Sequence, residues 1–160
     1  MGITVRKYTE ADVDAMAQVW NEVVADGSAF PQDSVLSGDA GEFFASQSMC
    51  GVAEEDGRIV GMYILHPNNV GRCGHICNAS YVVKSTERGK GIGRMLVTDC
   101  IMQARELGFR ILQFNAVVAS NTAAIKLYDS IGFERIGTVK GGFRNAAGIY
   151  EDIILFCYYL

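Results

Sequence analysis

Two hydrophobic periods alternate along the chain, and the points where one gives way to the other divide it into elements. Ile3, Val5 and Lys7 alternate and predict a short first strand. Thr9, with Asp12 three residues on, has the spacing of a capping box. Val13, Met16, Ala17, Trp20, Val23 and Val24 then recur at helical spacing up to Ala25, and Asp26-Gly27 stops that helix. The loop SAFPQDSVLSG leads to a second helix near Asp39–Ser48, with Phe43 and Phe44 turned inward. From Cys50 the period falls to two. Cys50–Glu54 and Arg58–His66 flank Asp56-Gly57, a strong two-residue hairpin signal. Past Pro67-Asn68-Asn69 a third strand of this group spans roughly His75–Val83.

The second half repeats strand and helix. Arg88-Gly89-Lys90-Gly91-Ile92-Gly93 opens a helix in which Ile92, Leu96, Cys100, Ala104 and Leu107 share a face, and Gly108 ends it. Ile111–Val118 reads as a strand, Thr122–Ser130 as a helix with Gly132 as its stop. Glu134–Val139 and Tyr150–Tyr159 read as two closing strands around a glycine-rich connection. The order β-α-α-β-β-β-α-β-α-β-β predicts an α/β domain with a mixed, partly parallel central sheet and helices on both faces. Ligands of such sheets bind at the carboxyl ends of parallel strands, so chemistry is expected there.

Composition narrows the class. Of 160 residues 49% are apolar and 20% charged, as expected for a single domain spanning 1–160. No apolar run is long enough for a membrane span, and no signal stretch opens the chain, so a cytoplasmic protein is expected. Five cysteines at irregular spacing do not read as a disulfide framework. In CGHIC, alternation on a strand would send Cys73, His75 and Cys77 to one face with no fourth metal ligand in view, so no metal is expected. The net charge is −4, and residues 1–60 hold eleven acidic against three basic side chains. That balance disfavours nucleic acid, while the locally basic remainder suits a small anionic ligand.

Arg88–Gly93 is the most informative segment. Glycines allow close approach of a ligand to the backbone, and free N–H groups at a helix N-terminus favour phosphate oxygens. Arg88 and Lys90 add positive charge. A Walker loop is absent, and neither pair of glycines at G-x-G spacing has the third glycine of a Rossmann fingerprint, since Leu96 and Arg94 stand there. Arg88, Gly91 and Gly93 do fit [QR]-x-x-G-x-[GA], after the strand Tyr81-Val82-Val83-Lys84. A second block, NAVVASNTAAIKLYDSIGFE from Asn115 to Glu134, follows with Asn, small residues, Leu-Tyr and Gly-Phe. In these two motifs, and in their order, the chain resembles the GCN5-related N-acetyltransferase superfamily.

The resemblance implies an acetyltransferase using acetyl-coenzyme A as donor, with direct attack by an amine in a ternary complex. Backbone groups of Arg88, Gly89, Lys90, Gly91, Ile92 and Gly93 would hold the pyrophosphate. Val82 and Val83 would meet the pantetheine like an added strand, and Asn121 would contact the cofactor arm. Tyr128 would protonate the departing thiolate, a role that suits a neutral phenol. Asn121 also reads as a helix cap and Tyr128 as a core residue. For the base that frees the amine, Glu22, His75, Glu151 and Asp152 are candidates, beside a water relay.

HICNASYVV and LQFNAVVASN further resemble the fungal acetyltransferases that act on azetidine-2-carboxylate and other proline analogues. That likeness implies Asn78 and Asn115 at an amino-acid site. Phe30 in the loop Gly27–Ser37 and Arg144 in the loop Gly141–Gly148 are candidate pocket walls, Arg144 as partner of a substrate carboxylate. A small-molecule amine is therefore the expected partner, with neither nucleic acid nor membrane. A protein-directed acetyltransferase and a non-catalytic acyl-coenzyme A sensor are the alternatives. The apolar C-terminal run IILFCYY is buried on both faces or meets a second copy, and a homodimer is expected.

Overall fold

The computed structural model describes residues 2–160. Its strands are β1 Thr4–Lys7, β2 Met49–Glu55, β3 Arg58–Pro67, β4 Ile76–Val83, β5 Ile111–Val118, β6 Glu134–Arg144 and β7 Tyr150–Tyr159. The helices are α1 Val13–Asp26, α2 Ala40–Ala45, α3 Ile92–Glu106 and α4 Thr122–Ile131. All seven strands form one sheet in the order β1-β2-β3-β4-β5-β7-β6. Neighbours are antiparallel except β4 and β5, which are parallel. The expected element order and mixed sheet are thus present, and β7 lies inside the sheet between β5 and β6.

Alternation along the strands builds two cores. On one face Met16, Trp20 and Val24 of α1 and Phe44 of α2 pack over Cys50, Val52, Met62, Ile64 and Val82. On the other, Ile92, Leu96, Cys100 and Ala104 of α3 pack over Ala53, Tyr63, Leu65, Cys77 and Ala79. Side chains from α4 join this second core beside Phe114 and Phe156.

Local chemistry accounts for the turns. Asp56 and Gly57 both have positive φ (51° and 77°), the backbone of a tight hairpin whose twist matches its strands. Gly27 caps α1 in the left-handed region at φ 67°. Before α1, the Thr9 N–H donates to Asp12 Oδ2 at 2.7 Å and opens a 3₁₀ turn, Glu10–Asp12, that runs into the helix. The Arg6 guanidinium grips both oxygens of the same carboxylate, at 2.8 and 3.0 Å. Arg6, and after it the Thr9 backbone, hold the Asp12 carboxyl below its ordinary pKa against the opposing effect of burial.

Four expectations need correction. Leu107 is half exposed, because it caps α3 where the helical face has already turned from the sheet. The second helix is only Ala40–Ala45, shorter than the segment its phenylalanines suggested. β6 does not end at Val139: it continues through the glycines to Arg144, because a bulge between Val139 and Phe143 absorbs the extra residues. Gly141 takes φ 63° there, and its N–H donates to Asp152 Oδ1 at 3.0 Å. Finally, Cys73 is exposed on a 3₁₀ turn while Cys77 is buried in β4, so CGHIC does not present three side chains from one strand face.

Two predictions follow from this packing. Gly51 pairs across β2 and β3 with Tyr63, whose ring would lie 2.2 Å from a Cβ at position 51. Tyr63 is fully buried and its hydroxyl donates to Asp99 at 2.6 Å, so the ring cannot swing away. Gly51→Ala should destabilise the fold by about 1–3 kcal/mol, read as a lower urea midpoint with unchanged slope. Asp12→Asn should cost about 1–2 kcal/mol at neutral pH, since it removes charge-assisted bonds. A depressed carboxyl pKa stabilises the fold above the unfolded value and loses that contribution as pH falls through the folded one. The gap between wild type and Asp12→Asn should therefore close below the ordinary value of 3.8, measured by urea titrations across acidic pH.

Candidate functional site

The ladder between β4 and β5 is short. Only Ile76 with Ile111 and Cys77 with Leu112 are paired, although both strands run on for six further residues. Past these pairs the strands diverge toward their carboxyl ends. β5 also carries a bulge against β7, where Asn115 and Ala116 fall between the Phe114 and Val117 pairings, and a bulge bends its strand. The opening is a cleft of about 230 Å³ whose lining comes from both faces of the sheet.

The β4 edge facing the opening has unused hydrogen-bonding groups. Lys84 N–H donates to Val60 O at 2.8 Å, which sets the phase of the β3–β4 ladder. Alternate residues in such a ladder point their polar groups to opposite sides. Val82, opposite Met62, therefore bonds β3, and its side chain is buried in the α1 core. Tyr81 and Val83 direct their N–H and C=O groups into the split.

On the α1 face the cleft is lined by Phe30, His66, Asn78 and Asn115. Phe30 is held by Trp20, with ring centroids 4.6 Å apart. The Asn78 amide donates to Gln113 O at 2.8 Å and bridges the two strands just where their ladder stops. Asn115 exchanges amide hydrogen bonds with Asn68 at 2.6 and 3.3 Å, and its Oδ1 also accepts from Gln113 at 3.1 Å. On the other face, Tyr128 of α4 sits 4.6 Å from the Phe114 ring and 6.5 Å from that of Tyr81. Burial pushes the phenols of Tyr128 and Tyr81 upward, so both are neutral at physiological pH. Asn121 caps α4, its Oδ1 accepting from Ala124 N–H at 3.3 Å, and also lines the cleft.

Arg88–Gly93 follows β4 at the same end of the sheet, after a 3₁₀ turn over Ser85–Glu87. Gly89 and Gly91 have φ of 82° and 78° with open space where a Cβ would be, so the backbone is both shaped and bare. The first N–H groups of α3 lack intrahelical partners, as at any helix start. Ile92 is buried under the sheet and anchors the loop. The Lys90 ammonium is taken up by Glu87 at 2.5 Å and Glu55 at 3.3 Å, and so adds no free charge.

The structure thus gathers Phe30, Asn78, Asn115, Asn121 and Tyr128 around one cleft. Arg144 is not among its lining. It borders a neighbouring cavity of about 510 Å³ with Phe143 and Asn145, which shares the Phe30–Gln32 wall. None of the four candidate bases lines the cleft. Glu22 accepts from Ser85 N–H at 3.0 Å, and the Ser85 side chain, with that backbone bond after it, lowers its pKa. His75 stands at the opposite end of β4, where its carbonyl accepts from Arg110 N–H. Glu151 accepts from Asn145 and Asp152 from Gly141. Sequence reasoning missed His66, Asn68 and Tyr81. The signal for His66 was its place at the end of a strand whose antiparallel partner carries Asn78, the residue opposite it.

Known proteins share both the sequence pattern and the fold. The chain is 36% identical over 103 residues to the N-acetyltransferase aca1 of Schizosaccharomyces pombe, covering 63% of this chain and 49% of that one. The matched stretch therefore spans about half of the fission yeast protein. It is 26% identical over 137 residues to the L-amino acid N-acyltransferase MnaT of Escherichia coli, covering 82% of this chain and 79% of that one. A GCN5-related N-acetyltransferase from Kribbella flavida superposes with a TM-score of 0.91 at 35% identity, over 99% of this chain and 98% of that one. The family model for acetyltransferases of the GNAT type matches residues 16–133, from within α1 to the turn after α4. That stretch takes in both walls of the split sheet, and the chain belongs to the acetyltransferase (GNAT) family.

Proposed function

We propose that the chain is an acetyl-coenzyme A-dependent N-acetyltransferase that modifies the amine of a small molecule such as an amino acid. The observation that carries this reading is the split between β4 and β5. It supplies a free strand edge, a neutral phenol on one face and a cluster of side-chain amides on the other. The name of the MnaT relative, an amino-acid N-acyltransferase, supports the acceptor class.

The residues present suit a donor of this shape. Tyr81 and Val83 offer unpaired backbone groups to the amides of a pantetheine arm, as an added strand would use them. The bare amides of Gly89–Gly93 suit a pyrophosphate, and Asn121, which lines the cleft, serves the same arm. Acetyl-coenzyme A supplies the activated acetyl group when bound. Backbone N–H groups along the split serve to polarise the acetyl oxygen. Tyr128, neutral through burial, gives its proton to the leaving sulfur. On the opposite face Asn78 and Asn115 orient the acceptor through uncharged hydrogen bonds, with Phe30 as an apolar wall.

Mass spectrometry of a reaction with acetyl-coenzyme A and pooled amines tests the reading. Amino acids, proline analogues, polyamines and short peptides form the panel, and an acetylated amino acid is the expected product. An acetylated peptide alone would replace the small-molecule acceptor, and donor binding with no product would make the chain an acyl-coenzyme A sensor. Tyr128→Phe should lower kcat about 10²-fold with little change in acetyl-coenzyme A affinity. Asn115→Ala should act on the acceptor, raising its KM by about tenfold and leaving the donor KM alone, as loss of one or two hydrogen bonds dictates.

A further inference from the structure

An amine acceptor reaches the cleft as an ammonium and must lose a proton before it can attack. None of the four carboxylate and imidazole candidates from the sequence lines the cleft to receive that proton. Glu22, Glu151 and Asp152 are tied to backbone or amide donors away from the cleft, and His75 is at the far end of β4. Among the described residues lining the cleft, the ionisable side chains are His66, Tyr81 and Tyr128, and burial holds both phenols neutral.

His66 is half-buried at the end of β3, directly opposite Asn78 in the ladder. Its Nδ1 lies 2.9 Å from the carbonyl oxygen of Pro67. A carbonyl only accepts, so Nδ1 carries the proton. In the neutral ring Nε2 then holds a bare lone pair. The bond also fixes the ring, which lines the cleft on the face of Asn78 and Asn115.

Resting on the N-acetyltransferase reading, we propose that His66 is the general base, taking the acceptor's proton at Nε2. Lining the cleft with it are the amides of Asn78 and Asn115, and Phe30, Pro31 and Gln32 from the loop after α1; among the described residues no carboxylate, Lys or Arg lines it. The imidazole takes one proton from the ammonium, and the freed nitrogen forms the C–N bond as the thioester C–S bond breaks. Tyr128 protonates the sulfur and regains its proton from the new amide nitrogen, which keeps one hydrogen. The imidazolium returns its proton to water. His66 and Tyr128 thereby work from opposite faces of the sheet, one on the entering nitrogen and one on the leaving sulfur.

The chain has two histidines, so long-range ¹⁵N NMR with a His75→Gln control assigns His66 without ambiguity. The Nδ1–H form with unprotonated Nε2 is expected above its titration midpoint, and an Nε2–H form would overturn the proposal whatever the kinetics. In turnover, His66→Ala and the better-tolerated His66→Gln should lower kcat about 10²-fold or more with the acetyl-coenzyme A KM unchanged. The acidic limb of the wild-type kcat/KM profile should match the NMR midpoint and vanish in both variants, and added imidazole should restore part of the His66→Ala rate. A variant that raises only the acceptor KM would make His66 a binding residue, and an unaltered profile would also overturn the base. Wild type that acetylates nothing in the panel would instead remove the N-acetyltransferase reading, and the base with it.

Discussion

A β-ladder lasts only while two strands stay about 4.8 Å apart, and between β4 and β5 that condition holds for two residue pairs. Everything at the cleft depends on this early divergence. It exposes one polar edge of β4 in the middle of the seven-stranded sheet. Had the ladder continued to Val83 and Val118, Tyr81 and Val83 would spend their N–H and C=O groups on β5. Tyr128 and Asn115 would then stand on opposite sides of an unbroken wall.

Such a gap needs support, because unpaired backbone inside a protein is costly. The paired end is reinforced by Arg110 N–H donating to His75 O and by the Cys77 thiol at Ile111 O. At the split, the Asn78 amide replaces a ladder bond with a side-chain bond to Gln113 O. On the α3 and α4 side the gap is held open by aromatic contact, with Tyr81 edge-on to Phe114 at 5.6 Å and Phe114 stacked on Phe133 at 4.8 Å. The same side chains set the low-dielectric surroundings that keep Tyr128 protonated. Packing and acidity here have one cause.

Charge is kept out of the cleft and confined to its surroundings. Lys90 is neutralised by Glu87 and Glu55, Arg58 reaches both of those carboxylates, and Glu22 ties α1 to the backbone after β4. The basic surplus of the second half is thereby partly matched by acidic residues of the first. What remains for a ligand is a set of uncharged donors and acceptors, with one imidazole among them.

Features set by neighbours in the chain were legible in the sequence. Asp56-Gly57 and Gly89 to Gly93 announced their turns because positive φ is a local preference. The strands and helices showed themselves through side-chain period, since burial repeats along one face. Motifs that hold their order along the chain led to Tyr128 and the asparagines, which the fold brings to one cleft. The glycine bulge in β6 was misread because a glycine run looks the same in a loop and in a bent strand. Only the tertiary structure decided how segments meet: His66 opposite Asn78, Asn68 bonded to Asn115 across 47 residues, Lys90 bound to Glu55, and Arg144 in a neighbouring cavity. Those outcomes depend on strand register and on where a ladder stops, which are properties of two distant segments together and of neither alone.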